Sequence, residues 1–182
     1  MKPREKSQRV IDVHPVEIEQ ALASLVCLID TREQPTDALR ERVKAIGLPA
    51  KRQKLNFGDY SAEITLPQGE RVDLSARFSI ERKMSIDEMA ACFTSQRERF
   101  AREFERAKAN GAKIYLLVEN ASYEKIFGGR YRTKVSPNAL AASLFAFMAR
   151  YDCTPIFCRD ESTGRVIREI IYREAKEFLQ NL

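Results

Sequence analysis

Histidine is almost missing from this 182-residue sequence, and His14 alone cannot supply a site built on several histidines. The four cysteines, Cys27, Cys92, Cys153 and Cys158, form no C-x-x-C pair, so neither a zinc site nor a disulfide framework is indicated. No stretch approaches the roughly 20 apolar residues that span a bilayer, and no apolar run follows the charged N-terminus. We therefore expect reduced thiols, no membrane contact and a cytoplasmic location, at the nucleoid in a bacterium; a nuclear location stays open.

The composition indicates one globular domain with a basic surface. Hydrophobic residues make up 44% of the sequence and charged residues 31%, which is typical of a globular protein, and 182 residues can bury an ordinary core. Lys and Arg number 31 against 26 Asp and Glu, and the resulting charge of +5 favours polyanionic partners. We expect a flexible basic arm over residues 1–15 and one domain over residues 16–182.

Strand and helix patterns alternate along the chain. An apolar run at 24–29 ends in Asp30 and predicts a strand buried on both faces and central in its sheet. A strand pattern at 51–66 and a turn at 67–69 predict a hairpin. Further strands are expected at 77–83, 114–118 and 155–158, and helices at 39–46, 85–107, 137–150 and 163–180. This order predicts an α/β fold of three layers, in which helices flank a central mixed β-sheet.

Acidic residues stand at the ends of the predicted strands. Asp30 ends one strand, Asp59 begins another, and Glu81 shares a strand face with Lys83. Mg²⁺ prefers carboxylates and water as ligands, and an amine beside it can steer water and stabilise an anionic transition state. A sheet with these strands adjacent would bring the three carboxylates together with Lys83 beside them, which is an arrangement that suits metal-dependent phosphodiester hydrolysis.

Each member of this set also has an ordinary structural interpretation. Glu-x-Lys is a weak motif, because such pairs are frequent on solvated strands and contribute little there. Asp59 in Gly-Asp-Tyr suits a turn, and Asp30 could cap the turn before the next helix. Glu119, after another buried strand, could line the pocket or simply end the strand. Only the combination indicates a catalytic site.

The combination resembles the nuclease domain of the XPF family of structure-specific endonucleases, a branch of the PD-(D/E)-x-K proteins. That family is marked by Gly-Asp and a later Glu-Arg-Lys-x-x-x-Asp, and here the sequence reads Gly58-Asp59 and then Glu81 to Asp87. Asp30-Thr31-Arg32-Glu33 is similar to the family's Asp-x-Arg-Glu strand end. The resemblance implies a restriction-endonuclease-like fold in which Asp30, Asp59 and Glu81 hold Mg²⁺, or Mn²⁺ in its place. It also implies that these three acids and Lys83 are the catalytic residues.

The resemblance also implies supporting residues around the pocket. Arg32 and Glu33 would border it. Arg82 faces away from Glu81, so we expect it to pair structurally, and Asp87 would serve the helix dipole or Arg82.

Basic residues suggest where DNA would bind. The positions we single out are Arg97 and Arg99 on the helix after the motif and Arg130, Arg132 and Lys134 in a glycine-rich loop. Acidic residues alternate with the arginines of that helix, so a solvated face is an equally good interpretation. The family often grips duplex DNA with a tandem helix-hairpin-helix domain that has no counterpart here. We therefore expect a homodimer through helices within 137–180, or a partner that supplies DNA-binding elements.

The sequence thus predicts a metal-dependent DNA endonuclease, structure-specific for branched, flap or fork DNA and acting in repair or recombination. Two alternatives remain at this stage. One is a non-catalytic nucleic-acid-binding or dimerisation module on a nuclease scaffold, and the other is an RNA-directed or restriction-type nuclease.

Overall fold

The structure, a computed structural model, describes residues 15–182. The strands are β1 (Val26–Asp30), β2 (Ala50–Gln53), β3 (Tyr60–Thr65), β4 (Arg71–Asp73), β5 (Phe78–Lys83), β6 (Lys113–Glu119) and β7 (Thr154–Cys158). The helices are α1 (Pro15–Ala23), α2 (Asp37–Ile46), α3 (Ile86–Phe93), α4 (Arg97–Ala109), α5 (Tyr123–Phe127), α6 (Pro137–Tyr151) and α7 (Thr163–Gln180), with a 3₁₀ turn at Asp160–Ser162. No helix in this part of the chain is long and apolar enough to span a membrane.

All seven strands form one mixed sheet. The order is β2-β1-β3-β5-β6-β7, and β4 pairs with β3 outside this path. Strand β3 runs antiparallel to β1, β4 and β5, whereas β1–β2, β5–β6 and β6–β7 are parallel pairs. The predicted mixed sheet is confirmed. Strand β1, predicted to be central, is an inner strand one place from the edge, because β2 is the only strand beyond it.

Helices cover both faces of the sheet, which confirms the predicted three layers. Helices α1, α2 and α7 enclose one core with Tyr60, Phe78 and Ile80 of the sheet. Helices α3, α4, α5 and α6 enclose a second core, in which aromatic rings pack around Phe147. Both cores share β6, whose side chains alternate between the two faces: Leu117 belongs to the first core, and Leu116 and Val118 belong to the second.

Two predicted elements differ from the structure near the N-terminus. Of the predicted arm, residues 1–14 lie outside the described residues, and Pro15 begins α1, a helix that we did not predict. The strand pattern at 51–66 contains two strands: β2 pairs with β1, and only β3 enters the hairpin with β4 around the turn at Pro67–Gly69. The polar side chains of β2 suit this edge position, since they are largely exposed.

The single helix predicted from Ser85 to Ala107 is wrong, because the chain breaks between α3 and α4. Ser85 caps α3 as expected, with its Oγ accepting a hydrogen bond from the Glu88 N–H at 3.2 Å. At the other end, the Thr94 hydroxyl donates to the Ala90 carbonyl at 2.8 Å and so replaces a main-chain donor there. The helix stops, and α4 starts in a new direction that brings its own residues to the catalytic end of the sheet.

Candidate active site

Main-chain hydrogen bonds bring the ends of β1, β3 and β5 together. The N–H of Asp30 donates to the carbonyl oxygen of Asp59 at 2.8 Å, and the N–H of Asp59 donates to that of Ile80 at 2.8 Å. Asp30 therefore lies beside Asp59, and Asp59 lies beside the strand that carries Glu81. The neighbouring strands that the prediction required are present.

Asp30 is fully buried, and both of its carboxylate oxygens accept hydrogen bonds from the protein. Oδ1 accepts from the main-chain N–H and the Nε of Arg32, both at 2.7 Å, and Oδ2 accepts from the N–H of Leu55 at 2.6 Å. Burial would raise the pKa of the Asp30 carboxyl, but these hydrogen bonds outweigh it and hold the pKa below its usual value. Asp30 is therefore ionised and already committed to Arg32 and Leu55.

Glu81 and Lys83 form a buried ion pair on one face of β5. The Lys83 ammonium lies 2.5 Å from Glu81 Oε1, and the Glu81 side chain is only 6% exposed. Burial raises the pKa of Glu81, although the charge of Lys83 opposes this. Burial would lower the pKa of Lys83, but the attraction of Glu81 dominates and raises it. Lys83 is therefore protonated, and its charge also lies over the ring of Phe100, 5.4 Å from the centroid.

Asp59 is the second carboxylate of this pocket. The charge of Lys83 favours the ionised form of Asp59, and so does a 2.8 Å hydrogen bond that Oδ2 accepts from the N–H of Arg82. Burial raises the pKa of Asp59 well above its usual value, and repulsion from Glu81 and Glu33 adds to this effect. The two acids therefore resist being ionised together beside a single lysine, and a bound cation would favour their ionised forms.

The donor set fits a magnesium ion bound through few protein ligands. Mg²⁺ is commonly held by one or two carboxylates and completes its shell with water and substrate phosphate, so Asp59 and Glu81 suffice. Among residues 15–182, no group of three Asp, Glu, His or Cys side chains is arranged to hold a metal ion. The position of Asp30 as a third ligand stays a prediction, since its oxygens would have to exchange their present partners.

The turn that orients Asp59 depends on glycine. Gly58 has a φ of +72°, and a Cβ built there would lie 1.7 Å from the Oγ of Ser79 on β5. The Ser79 hydroxyl itself donates to the Phe57 carbonyl at 2.9 Å, which fastens the turn to the strand. A side chain at position 58 would push Asp59 away from Glu81.

Glu103 of α4 is a pocket residue that the sequence did not reveal. Its Oε1 accepts a 3.0 Å hydrogen bond from the Gly58 N–H and lies 3.4 Å from Nη2 of Arg32. It is also close enough to Glu81 to help raise the pKa of that carboxyl. On an unbroken helix Glu103 belongs to a solvated face of alternating charges, and only the break before α4 turns it toward Gly58.

Arg32 and Glu33 border the pocket, as the resemblance implied. Arg32 binds Asp30 and Glu103, whereas Glu33 accepts a 2.9 Å hydrogen bond from the Tyr60 hydroxyl. Arg42 of α2 donates to the same hydroxyl at 2.9 Å. Arg32 and Glu33 therefore bind different partners, and Glu33 contributes negative charge near Asp59.

The opposite face of β5 carries a second buried ion pair. Nε and Nη2 of Arg82 each lie 2.7 Å from an oxygen of Glu119 at the end of β6, and the Thr163 hydroxyl donates to the same carboxylate at 2.8 Å. The predicted structural pairing of Arg82 is thus present. Glu119, which we expected either to line the pocket or only to end its strand, instead holds Arg82 behind the catalytic face.

Asp87 does not pair with Arg82, and that part of the prediction is wrong because Glu119 occupies the guanidinium. Oδ1 of Asp87 accepts from the main-chain N–H groups of Arg132 at 2.8 Å and Thr133 at 2.7 Å. Burial slightly opposes ionisation, but these hydrogen bonds lower the pKa of Asp87. The last acid of the motif thus fastens the loop before α6 to the first turn of α3.

The five predicted DNA-binding residues are exposed in two separate places. Arg97 and Arg99 lie at the start of α4, where they bind the Phe93 carbonyl and the Gln96 side chain. Arg130, Arg132 and Lys134 lie in the loop that Asp87 holds. The first group lies on α4, the helix that also carries Glu103, and the second is tied to the first turn of α3 through Asp87.

The fold, with a Glu-x-Lys strand beside a Gly-Asp turn, defines a nuclease domain of the restriction-endonuclease-like class. More particularly, residues 29–170 match the family model described as the ERCC4 domain, and the chain belongs to that family. The resemblance to XPF nucleases that the motifs indicated is thereby confirmed.

Solved structures show the same fold. The chain resembles XPF from Aeropyrum pernix with a TM-score of 0.59 and 18% identity over 82% of this chain and 64% of that one. XPF from Aeropyrum pernix in complex with DNA gives 0.58 and 18% over 84% and 65%. The chain thus spans just under two thirds of these proteins. A comparison with curated proteins found no match.

Proposed function

We propose that this chain is a divalent-metal-dependent DNA endonuclease. The observation that carries the proposal is a pair of acids, half-buried Asp59 and buried Glu81, on adjacent strands beside the protonated Lys83. An uncompensated acidic pocket is unfavourable for stability alone. Such a pocket is useful where a cation and a phosphate must meet, so function accounts for it better than folding does.

In the proposed mechanism each residue has a distinct task. Asp59 and Glu81 would hold Mg²⁺, and the ion would activate water and neutralise the scissile phosphate. Lys83, held protonated by Glu81, orients the attacking water and stabilises the negative charge of the transition state. Asp30 keeps Arg32 in place at the pocket edge and joins the metal ligands if its hydrogen bonds rearrange. We expect products with a 5′-phosphate and a 3′-hydroxyl.

DNA is the proposed polymer, and the two exposed basic groups would contact its backbone. Arg97 and Arg99 would bind on the α4 side, and the loop with Arg130, Arg132 and Lys134 on the α3 side. The solved DNA complex of XPF from Aeropyrum pernix supports this choice. A preference for branched, flap or fork DNA, a role in repair or recombination and a cytoplasmic location belong to the same proposal.

A homodimer is the proposed assembly, and its proposed surface combines α6, which lies within the predicted range 137–180, with α5, which lies outside that range. The apolar side of α7 is used in the first core, where Ile167 and Ile171 are fully buried. By contrast, Phe127 is 56% and Phe145 45% exposed, and both rings stack on Tyr123 with centroids 6.1 and 6.0 Å away. Exposed apolar patches of this kind often mark protein interfaces.

The dimer can be tested at that patch. Replacing both Phe127 and Phe145 by Ser should convert a dimer to a monomer in light scattering, whereas Met84→Ser, at a residue that is 60% exposed elsewhere, should leave the mass unchanged. A wild-type chain that is monomeric at all concentrations would reject the homodimer and leave a partner protein as the source of DNA-binding elements.

The nuclease itself is tested by cleavage of labelled single-stranded, duplex, flap and fork DNA, with Mg²⁺, Mn²⁺ or EDTA. We expect metal-dependent cutting by the wild type and none by Asp59→Ala. DNA binding without cutting on every substrate would favour a non-catalytic module, and the same assay on RNA of equal sequence separates the RNA-directed alternative.

A further inference from the structure

Glu103 joins three segments that are far apart in the sequence. It lies on α4, its Oε1 accepts from the Gly58 N–H in the turn before β3, and it faces Arg32 just after β1. The Glu103 side chain is 13% exposed, in contrast to Glu98 on the same helix, which is 94% exposed. Glu103 is therefore a buried polar anchor and not part of the solvated face of α4.

Both main-chain polar groups of Gly58, its N–H and its carbonyl oxygen, have side-chain partners. Its N–H donates to Glu103 at 3.0 Å, and its carbonyl oxygen lies 3.5 Å from Nη2 of Arg32. The same Nη2 pairs with Glu103, so one arginine and one glutamate enclose the glycine. A residue at φ +72° has few local restraints, and contacts from outside the turn must define its conformation.

Arg32 can help to define the conformation of Gly58 because Asp30 fixes the orientation of the Arg32 side chain. Its Nε donates to Asp30 Oδ1 at 2.7 Å, and that carboxylate is completely buried. The contacts run in order from Asp30 through Arg32 and Glu103 to Gly58, whose next residue is Asp59. Asp59 and Glu81 can act together only if this turn keeps its geometry.

We infer that Glu103, together with Arg32, is a positioning residue that fixes the Gly58-Asp59 turn and so aims the Asp59 carboxylate at Glu81. The inference rests on the proposed nuclease function for its kinetic consequence, but the contact itself does not. Glu103 acts here through the position of its oxygen and not through its charge.

Two conservative variants separate position from charge. Glu103→Gln keeps an oxygen at the same distance and removes the charge, whereas Glu103→Asp keeps the charge and is one methylene too short to reach Gly58. We expect Glu103→Gln to cut DNA within about fivefold of the wild type. Glu103→Asp and Glu103→Ala should lose roughly 10- to 100-fold in kcat with KM for DNA little changed, as for a misplaced catalytic group.

Hydrogen exchange at the Gly58 amide, followed by NMR, tests the contact without any activity. Exchange should accelerate at least tenfold in Glu103→Asp and Glu103→Ala, and stay near the wild-type rate in Glu103→Gln and in the control Glu98→Ala. Unchanged exchange in Glu103→Asp overturns the inference, and so does a Glu103→Gln variant as slow as Glu103→Asp in cutting. If the wild type cuts no DNA, only the proposed function is rejected, because hydrogen exchange still tests the contact between Glu103 and the Gly58 amide.

Discussion

The main-chain N–H of Arg82 donates a 2.8 Å hydrogen bond to Oδ2 of Asp59, while the Arg82 side chain binds Glu119 on the other face of the sheet. One residue therefore supports the catalytic carboxylate with its backbone and fastens β5 to the end of β6 with its guanidinium. The position of β5, and so of Glu81 and Lys83, depends on a pair that never enters the pocket.

Removing the partner of Arg82 should destabilise the protein strongly. Both side chains are almost buried, at 11% and 6% exposure, so Glu119→Gln leaves a buried cation without its counter-charge. We expect the free energy of unfolding to fall by roughly 3–5 kcal/mol in urea denaturation. The double variant Arg82→Met/Glu119→Leu should recover much of this loss.

The exposed pair on α4 provides the control for that experiment. Glu98 and Arg102 lie 3.9 Å apart with side chains 94% and 62% exposed. Glu98→Gln should change the free energy of unfolding by less than about 0.5 kcal/mol. A similar small change in Glu119→Gln would show that the buried pair does not hold β5.

Lys83→Ala should abolish turnover while the fold and DNA binding persist. The ammonium that would orient water and stabilise the transition state is lost, and a reduction in kcat of about 10²- to 10⁴-fold is expected. Single-turnover cleavage and DNA affinity measured by anisotropy separate the two effects, with exposed Lys44→Ala as the control. Retained turnover in Lys83→Ala would reject the catalytic role of this residue.

Asp59→Asn should stabilise the metal-free protein at neutral pH while it removes activity. Burial and repulsion from Glu81 raise the pKa of Asp59, so the folded state binds the proton more tightly than the unfolded state. The contribution of Asp59 to the free energy of unfolding is therefore fully present at a pH below the usual pKa of aspartate. This contribution is lost as the pH rises toward the raised pKa of the folded state. Each pKa unit corresponds to about 1.4 kcal/mol.

Urea denaturation of the wild type and of Asp59→Asn in EDTA, between about pH 4 and about pH 8, would measure the difference between their free energies of unfolding. The advantage of Asp59→Asn should grow with pH, and Mg²⁺ should stabilise the wild type but not the variant. An equal pH dependence in both proteins would contradict the assigned repulsion.

Asp87→Ala should weaken DNA binding without slowing the chemical step. The carboxylate holds the N–H groups of Arg132 and Thr133, and without it the basic loop loses its connection to α3. We expect a roughly three- to tenfold higher KM, an unchanged kcat at saturation and a smaller salt dependence of binding. Asp87→Asn, which keeps one acceptor oxygen, should lie between the wild type and Asp87→Ala. A lower kcat with unchanged KM would place Asp87 in the chemistry.

Sequence patterns predicted the layers, the mixed sheet and the pocket acids because these depend on local periodicity and on a spaced motif. The alternation on β5 placed Glu81 with Lys83 and Arg82 on the opposite side, as the structure has them. Ser85 was recognised as a helix cap for the same reason, since its partner is three residues away.

Other features depended on contacts that no local pattern encodes. At the break between α3 and α4 the Thr94 hydroxyl donates to the Ala90 carbonyl, and Glu103 on the second helix accepts from Gly58, which is 45 residues away in the sequence. The partners of Arg82 and Asp87 lie 37 and 45 residues away in the sequence, so elimination among nearby residues could not identify them. Helix α1 is only nine residues long and follows a charged segment, so its short apolar face gives too weak a periodic pattern to predict a helix.

The alternating faces of β5 also restrict how this gene can change. A one-residue insertion or deletion in the strand before Glu81 would exchange the two faces, turning Arg82 toward the pocket and both Glu81 and Lys83 toward Glu119, although the ladder of backbone hydrogen bonds could re-form. The pocket would then lose Glu81 and hold the wrong cation. Length variation among descendants of this chain should therefore spare β5 and accumulate at sites such as the turn around Gly69, where a Cβ would meet nothing within 4 Å.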